Sequence, residues 1–134
     1  LESEGKQVPL ALLKFIHTSK TAALLRTAIR LGAMSANATP AQLANLSEFG
    51  KSLGLAFQVI DDILDVTQSS ETLGKSAGKD LASEKATYPS IVGLEQSRKV
   101  AKKLTEEAHK SLKPFRRKAD ILRGLADYLL DREY

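Results

Sequence analysis

The chain has 134 residues, 43% of them hydrophobic, which is enough apolar material for the core of one ordinary domain and too little length for two. Twenty Lys and Arg against 16 Asp and Glu leave a net charge of +4; with 5% aromatic residues, no Trp and no interleaving of Arg with rings, the composition argues against nucleic-acid binding. The absence of Cys removes disulfides, thiolate metal sites and a Cys nucleophile together, fits a reducing compartment, and argues against zinc.

Leu1 to Gln7 is polar and contains Gly5, so it reads as a loop or a chain end. From Val8 the pattern turns helical: Pro9 suits a first turn, and Leu10, Leu13, Ile16 and His17 recur at helical spacing up to Ser19. His17 reads as a helix-surface or packing residue, and with His109 far off in the sequence no His metal site is indicated. Thr18 and Ser19 offer an interruption and a cap for a second amphipathic run, from Lys20 through Ala22, Leu25, Ala28 and Ile29, which Gly32 would stop. Thr39 as N-cap, with Pro40 at the first helical position, opens a long helix expected to reach about Thr67. Gly50 and Gly54 inside it, each costing up to about 1 kcal/mol relative to Ala, point to close helix packing or to room for a ligand.

Gln68 to Thr87 breaks the periodicity, with Gly74, Gly78 and several Ser diluting any helix, and carries Lys75, Lys79 and Lys85. Pro89 starts a short helix through Val92, with Gly93 as a joint. Leu94 to about Lys113 reads as a longer helix with Val100, Leu104, Ala108 and Leu112 as its apolar stripe. Pro114 stops it, and Ala119, Leu122, Leu125, Ala126 and Leu129 define a last helix ending near Arg132. No segment sustains period-2 alternation, so the expected fold is an all-α bundle, with residues 1–134 forming a single domain or a fragment. No run approaches the roughly 20 apolar residues needed to span a bilayer, and no signal-peptide core is present. The chain begins at Leu1 rather than Met, so a processed chain or a fragment is expected, and a targeting peptide could precede it.

Gly54 to Val66 is the stretch that no core requires. Gln58, Asp61, Asp62 and Asp65 stand at i, i+3, i+4 and i+7, and so are expected as one polar stripe on an otherwise apolar helix. Like charges one turn apart repel, and near a helix C-terminus carboxylates also oppose the macrodipole. A cation is therefore expected beside them. Mg²⁺, which takes one or two carboxylates together with waters and substrate phosphates, suits that set.

Phe57-Gln58-Val59-Ile60-Asp61-Asp62-Ile63-Leu64-Asp65 resembles the second aspartate-rich motif of the trans-isoprenyl diphosphate synthases, all-helical prenyltransferases. Three further segments share the resemblance in order: His17-Thr18-Ser19-Lys20-Thr21-Ala22, Gly74-Lys75-Ser76-Ala77-Gly78-Lys79-Asp80, and Glu84-Lys85-Ala86-Thr87-Tyr88-Pro89, the last two similar to the geranylgeranyl branch. The resemblance implies a prenyltransferase that joins isopentenyl diphosphate to an allylic diphosphate with Mg²⁺ as cofactor. It further implies Asp61 as leading metal ligand with Asp62 and Asp65 in or beside the shell, Asp80 orienting metal-bound water, and Lys20 and Lys85 gripping the allylic diphosphate. Lys75 is a further cation candidate, Thr21 and Gln58 would line the site, and Phe57 would sit near the substrate tail. Lys79 reads as surface.

The family uses two aspartate-rich motifs facing each other, and this sequence carries one of them. The expectation is thus the C-terminal half of an isoprenoid-synthase helical bundle, inactive alone, partnered by the N-terminal half of the same enzyme, in a parent that is homodimeric, soluble, and cytoplasmic or plastid. Two other readings stand beside it: a non-catalytic partner subunit of such a synthase, and an unrelated helical interaction domain. Retention of Asp61, Asp62 and Asp65 weighs against the first, and the match of four separated segments against the second.

Overall fold

Thr39 and Gln42 open the helix around which the other elements are arranged. The Thr39 N–H donates to Gln42 Oε1 at 2.9 Å and the Gln42 N–H to Thr39 Oγ1 at 3.3 Å. This capping box, with Pro40 in the first turn where no N–H is needed, starts a 34-residue helix, Pro40–Leu73. The computed structural model describes residues 9–73 and 86–132, and for residues 69–73 the backbone alone. Within them, α1 (Leu10–His17), α2 (Ala23–Ser35), α3 (Pro40–Leu73), α4 (Tyr88–Val92), α5 (Leu94–Ser111) and α6 (Asp120–Asp131) follow in order. A π-helical turn, Thr18–Ala22, joins α1 to α2, and a 3₁₀ segment, Lys113–Ala119, joins α5 to α6. No strand occurs among the described residues, as the all-α expectation requires.

Three boundaries differ from the sequence reading. Thr18 and Ser19 do not interrupt the first helix: Thr18 Oγ1 bonds back to the Lys14 carbonyl at 2.8 Å, and the chain widens into the π-turn without leaving helical angles at Thr18, Ala22 or Ala23. Gly32 is interior to α2, which runs on to Ser35 and is followed by Asn37 in the left-handed region, φ 55°. There the Ala38 N–H reaches the Ala33 carbonyl and the Asn37 N–H the Met34 carbonyl, both at 3.0 Å, so two orphan carbonyls of the last turn are satisfied. Third, α3 continues past Thr67 to Leu73. Asp61, Asp62 and Asp65 consequently lie in the helix interior, away from the unfavourable end of the dipole.

α3 carries buried residues of both core clusters. Ala56, Val59, Ile60 and Ile63 meet Leu13 of α1, Tyr88 of α4 and Ala101 of α5, while Phe49 and Leu53 meet Ala108, Leu112, Ala119 and Ala126. On α5 the buried line is Ser97, Ala101, Thr105 and Ala108, a row of small residues that lets the two helices approach closely; Val100 and Leu104 flank it, half-buried. Gly50 and Gly54 serve close packing as well. A Cβ on Gly50 would stand 2.9 Å from Arg26 Cα, and one on Gly54 would stand 2.5 Å from Ala22 Cα. Arg123 fastens the end of α5, donating to the Leu112 carbonyl at 3.0 Å and to the Arg116 carbonyl at 2.7 Å.

Candidate functional site

The crossing of α3 with the α1–α2 segment gathers most of the described candidates. At one end of it Ala22 sits on Gly54, and at the other His17 Nε2 stands 3.5 Å from Asp62 Oδ2. The two segments run antiparallel there. Between these contacts lie Lys20 and Thr21 on the π-turn and Phe57, Gln58 and Asp61 on α3. Lys20 is exposed and Thr21 half-buried, as are Phe57, Gln58 and Asp61. The extra residue of a π-turn rotates the chain beyond it, so the turn reorients Lys20 and Thr21 relative to the regular helices on either side.

The expected single stripe divides. Gln58, Asp61 and Asp65 share the open side of α3, with Asp65 exposed, while Asp62 is buried with 5% of its surface accessible. A helix turns about 100° per residue, so Asp61 and Asp62 diverge although they are neighbours, and Asp62 falls at the edge of the arc that Val59 and Ile63 bury. Its Oδ2 accepts the Tyr88 backbone N–H at 2.9 Å, and the rings of His17 and Tyr88 lie 5.6 Å apart. Thr87 caps α4 just before, through a reciprocal bond pair with Ser90. Burial, and secondarily the Asp62 charge, raise the Tyr88 phenol above its ordinary value, so it stays protonated at neutral pH.

Asp61 meets the far end of the chain. Arg132, just past α6, places Nη1 3.8 Å from Asp61 Oδ1 and its guanidinium 5.7 Å from the centre of the Phe57 ring. Both charged side chains are more than a third exposed, so the pair contributes at most about 1 kcal/mol. Asp61 and Asp65, one turn apart, form a hard-oxygen donor pair of the kind that Mg²⁺ shares with water and phosphate. Among the described residues no group of three His, Cys, Asp or Glu side chains converges as a closed metal site. Lys75, Asp80 and Lys85 lie outside the described residues, as does Lys79. Of the two readings of His17, helix surface or packing, the structure shows packing, in line with its place on the stripe of Leu10 and Leu13, but its contact with Asp62 was not foreseen; nothing in the sequence pointed to Arg132.

A family model for polyprenyl synthetase matches residues 2–124. The chain is 50% identical over 127 residues to a chloroplastic geranylgeranyl pyrophosphate synthase of Capsicum annuum, covering 94% of this chain and 34% of that protein. It is 48% identical over 136 residues to the farnesyl diphosphate synthase of Escherichia coli (strain K12), covering 98% of this chain and 46% of that one. Among solved structures, the Helicobacter pylori geranyltransferase complexed with magnesium and isoprenyl diphosphate superposes with a TM-score of 0.72 at 31% identity, over 98% of this chain and 43% of that chain. The chain belongs to the polyprenyl synthetase family, which bears out the resemblance carried by its four motif segments. It spans less than half the length of these relatives. No helix among the described residues is long and apolar enough to cross a membrane.

Proposed function

We propose that this chain is the C-terminal portion of a prenyl diphosphate synthase that condenses isopentenyl diphosphate with an allylic diphosphate. The observation that carries the reading is the placement of Asp61 and Asp65 on the open side of α3, next to the Lys20–Thr21 turn, in a member of this family. In the reaction the allylic C–O bond breaks and its electron pair leaves with diphosphate. The double bond of isopentenyl diphosphate then attacks the allylic cation, and loss of a proton yields the longer prenyl diphosphate.

Negative charge grows on the departing diphosphate, so fixed cations aimed at it lower the barrier. Lys20, held by the π-turn, is the described side chain suited to grip that group. Lys85 and Lys75 are assigned the same task, and Asp80 the orientation of metal-bound water, by motif position alone. Asp61 and Asp65 would hold Mg²⁺, which when bound would neutralise the diphosphate oxygens. By motif position Thr21 and Gln58 would line the site and Phe57 would sit near the prenyl tail; all three are half-buried. The opposing aspartate set comes from an N-terminal portion, and the complete enzyme is a homodimer of the cytoplasm or plastid. Incubation of the full-length protein with Mg²⁺, geranyl diphosphate and labelled isopentenyl diphosphate tests this. Labelled product from the full-length protein and none from residues 1–134 alone is expected; failure of the full-length protein to incorporate label contradicts it.

A further inference from the structure

Three buried residues from three separate segments meet at one carboxylate. Asp62 of α3 accepts the Tyr88 N–H at 2.9 Å, stands 3.5 Å from His17 Nε2, and has the His17 and Tyr88 rings stacked at a tilt of 31° beside it. The His17 and Asp62 side chains are 7% and 8% exposed, and Tyr88 is 3% exposed. Such a site is costly to build. A carboxylate leaves water only when charged or hydrogen-bonded partners replace the solvent, and each partner here comes from a different element. Two of these elements also carry candidate site residues within about a turn: Lys20 and Thr21 come three and four residues after His17, and Asp61 and Asp65 flank Asp62.

We propose that Asp62 is a positioning residue whose carboxylate ties the Lys20–Thr21 turn and the start of α4 to α3, leaving Asp61 and Asp65 to face metal and diphosphate. The anchor stands on geometry; its role in catalysis rests on the function proposed above. Removing the carboxylate leaves a buried N–H without its acceptor and takes away the Nε2 contact of His17, which leads directly into the π-turn. An amide oxygen at the same place still accepts the Tyr88 N–H. The neutral replacement should therefore rescue the positions of these segments, which a metal ligand would not allow.

Amide hydrogen exchange on the 134-residue chain, read by NMR, tests this in wild type, Asp62→Asn and Asp62→Ala. The Tyr88, Lys20 and Thr21 amides are expected to exchange at least about tenfold faster in Asp62→Ala, to stay within about threefold of wild type in Asp62→Asn, and amides around Phe49 and Leu112 to keep their rates. Unchanged Tyr88, Lys20 and Thr21 rates in Asp62→Ala overturn the proposal. Should that variant fail to fold, His17→Leu removes the Nε2 contact and the ring contact with Tyr88 while keeping the bond from the Tyr88 N–H to Asp62: faster exchange at Lys20 and Thr21 with the Tyr88 amide still protected supports the anchor, and unchanged rates refute it. Mn²⁺ added as a paramagnetic probe separates the two readings. Broadening around Asp61 and Asp65 that survives in Asp62→Asn supports the anchor, whereas broadening lost in that variant makes Asp62 a ligand and overturns it. No broadening in any form counts against metal binding by this chain, and the anchor is then decided by the exchange rates.

Discussion

The carboxylate of Asp62 and the backbone N–H of Tyr88, 26 positions apart in sequence, are joined by a buried hydrogen bond of 2.9 Å that closes α4 onto α3. A charge-assisted bond of this kind, sheltered from water, is among the stronger single contacts in a small helical unit. Asp62→Ala should lower the unfolding free energy by about 2 kcal/mol or more, and Asp62→Asn by less, because only the first leaves the Tyr88 donor unsatisfied. Urea titration followed by circular dichroism measures both.

The same contact predicts a loss of stability in alkali. The Tyr88 phenol is raised above 10.0, first by burial and second by Asp62. The folded state therefore keeps this proton to higher pH than the unfolded chain does. The stabilisation is fully present below about pH 10 and declines as pH rises from there through the folded value, by at most about 1.4 kcal/mol per pH unit for one proton. Comparing urea midpoints at about pH 9 and about pH 11 in wild type and Tyr88→Phe should show a steeper decline in wild type.

Glycines on α2, α3 and α6 separate packing from propensity. Gly54→Ala would place its Cβ 2.5 Å from Ala22 Cα, a backbone atom, so the π-turn and α3 must move apart at a cost of about 2 kcal/mol. Gly32→Ala and Gly124→Ala meet nothing within 4 Å and should each stabilise by up to about 1 kcal/mol. Thermal unfolding of the three variants checks the opposite signs.

Arg116 sits at φ 51° and ψ −137°, a conformation that glycine adopts without strain and side-chain-bearing residues rarely do. Its carbonyl, which receives Arg123 Nη1 at 2.7 Å, does not depend on the side chain. Arg116→Gly is accordingly expected to raise stability by about 1 kcal/mol, seen as a higher Tm.

Much of the fold was legible from the chain itself, for reasons that differ by element. The start of α3 was readable because Thr39 and Pro40 encode a helix start locally, within one turn; Gln42, which the reading did not use, completes the cap in the structure. The close approach at Gly50 and Gly54 was legible as packing because a residue that weakens a helix must be offset by the contact it permits. The end of α2 was misplaced at Gly32 because the left-handed residue that terminates it is an Asn, Asn37, whose side chain tolerates that region. The inward turn of Asp62 was not legible. Helical spacing puts it near Asp61 and Asp65, and the partners that draw it into the core, His17 and Tyr88, are remote in sequence and come together only through tertiary packing. The same holds for Arg132 beside Asp61 and Phe57, where a cation after the last helix carries no local sign of its contact.

In the proposed reaction Asp61 is the chain's leading carboxylate toward Mg²⁺ and diphosphate. The most direct measurement is kcat for prenyl transfer at saturating Mg²⁺ in the full-length enzyme with Asp61→Ala. A fall of at least about a hundredfold is predicted, from loss of charge stabilisation in the transition state. Turnover equal to wild type would contradict it.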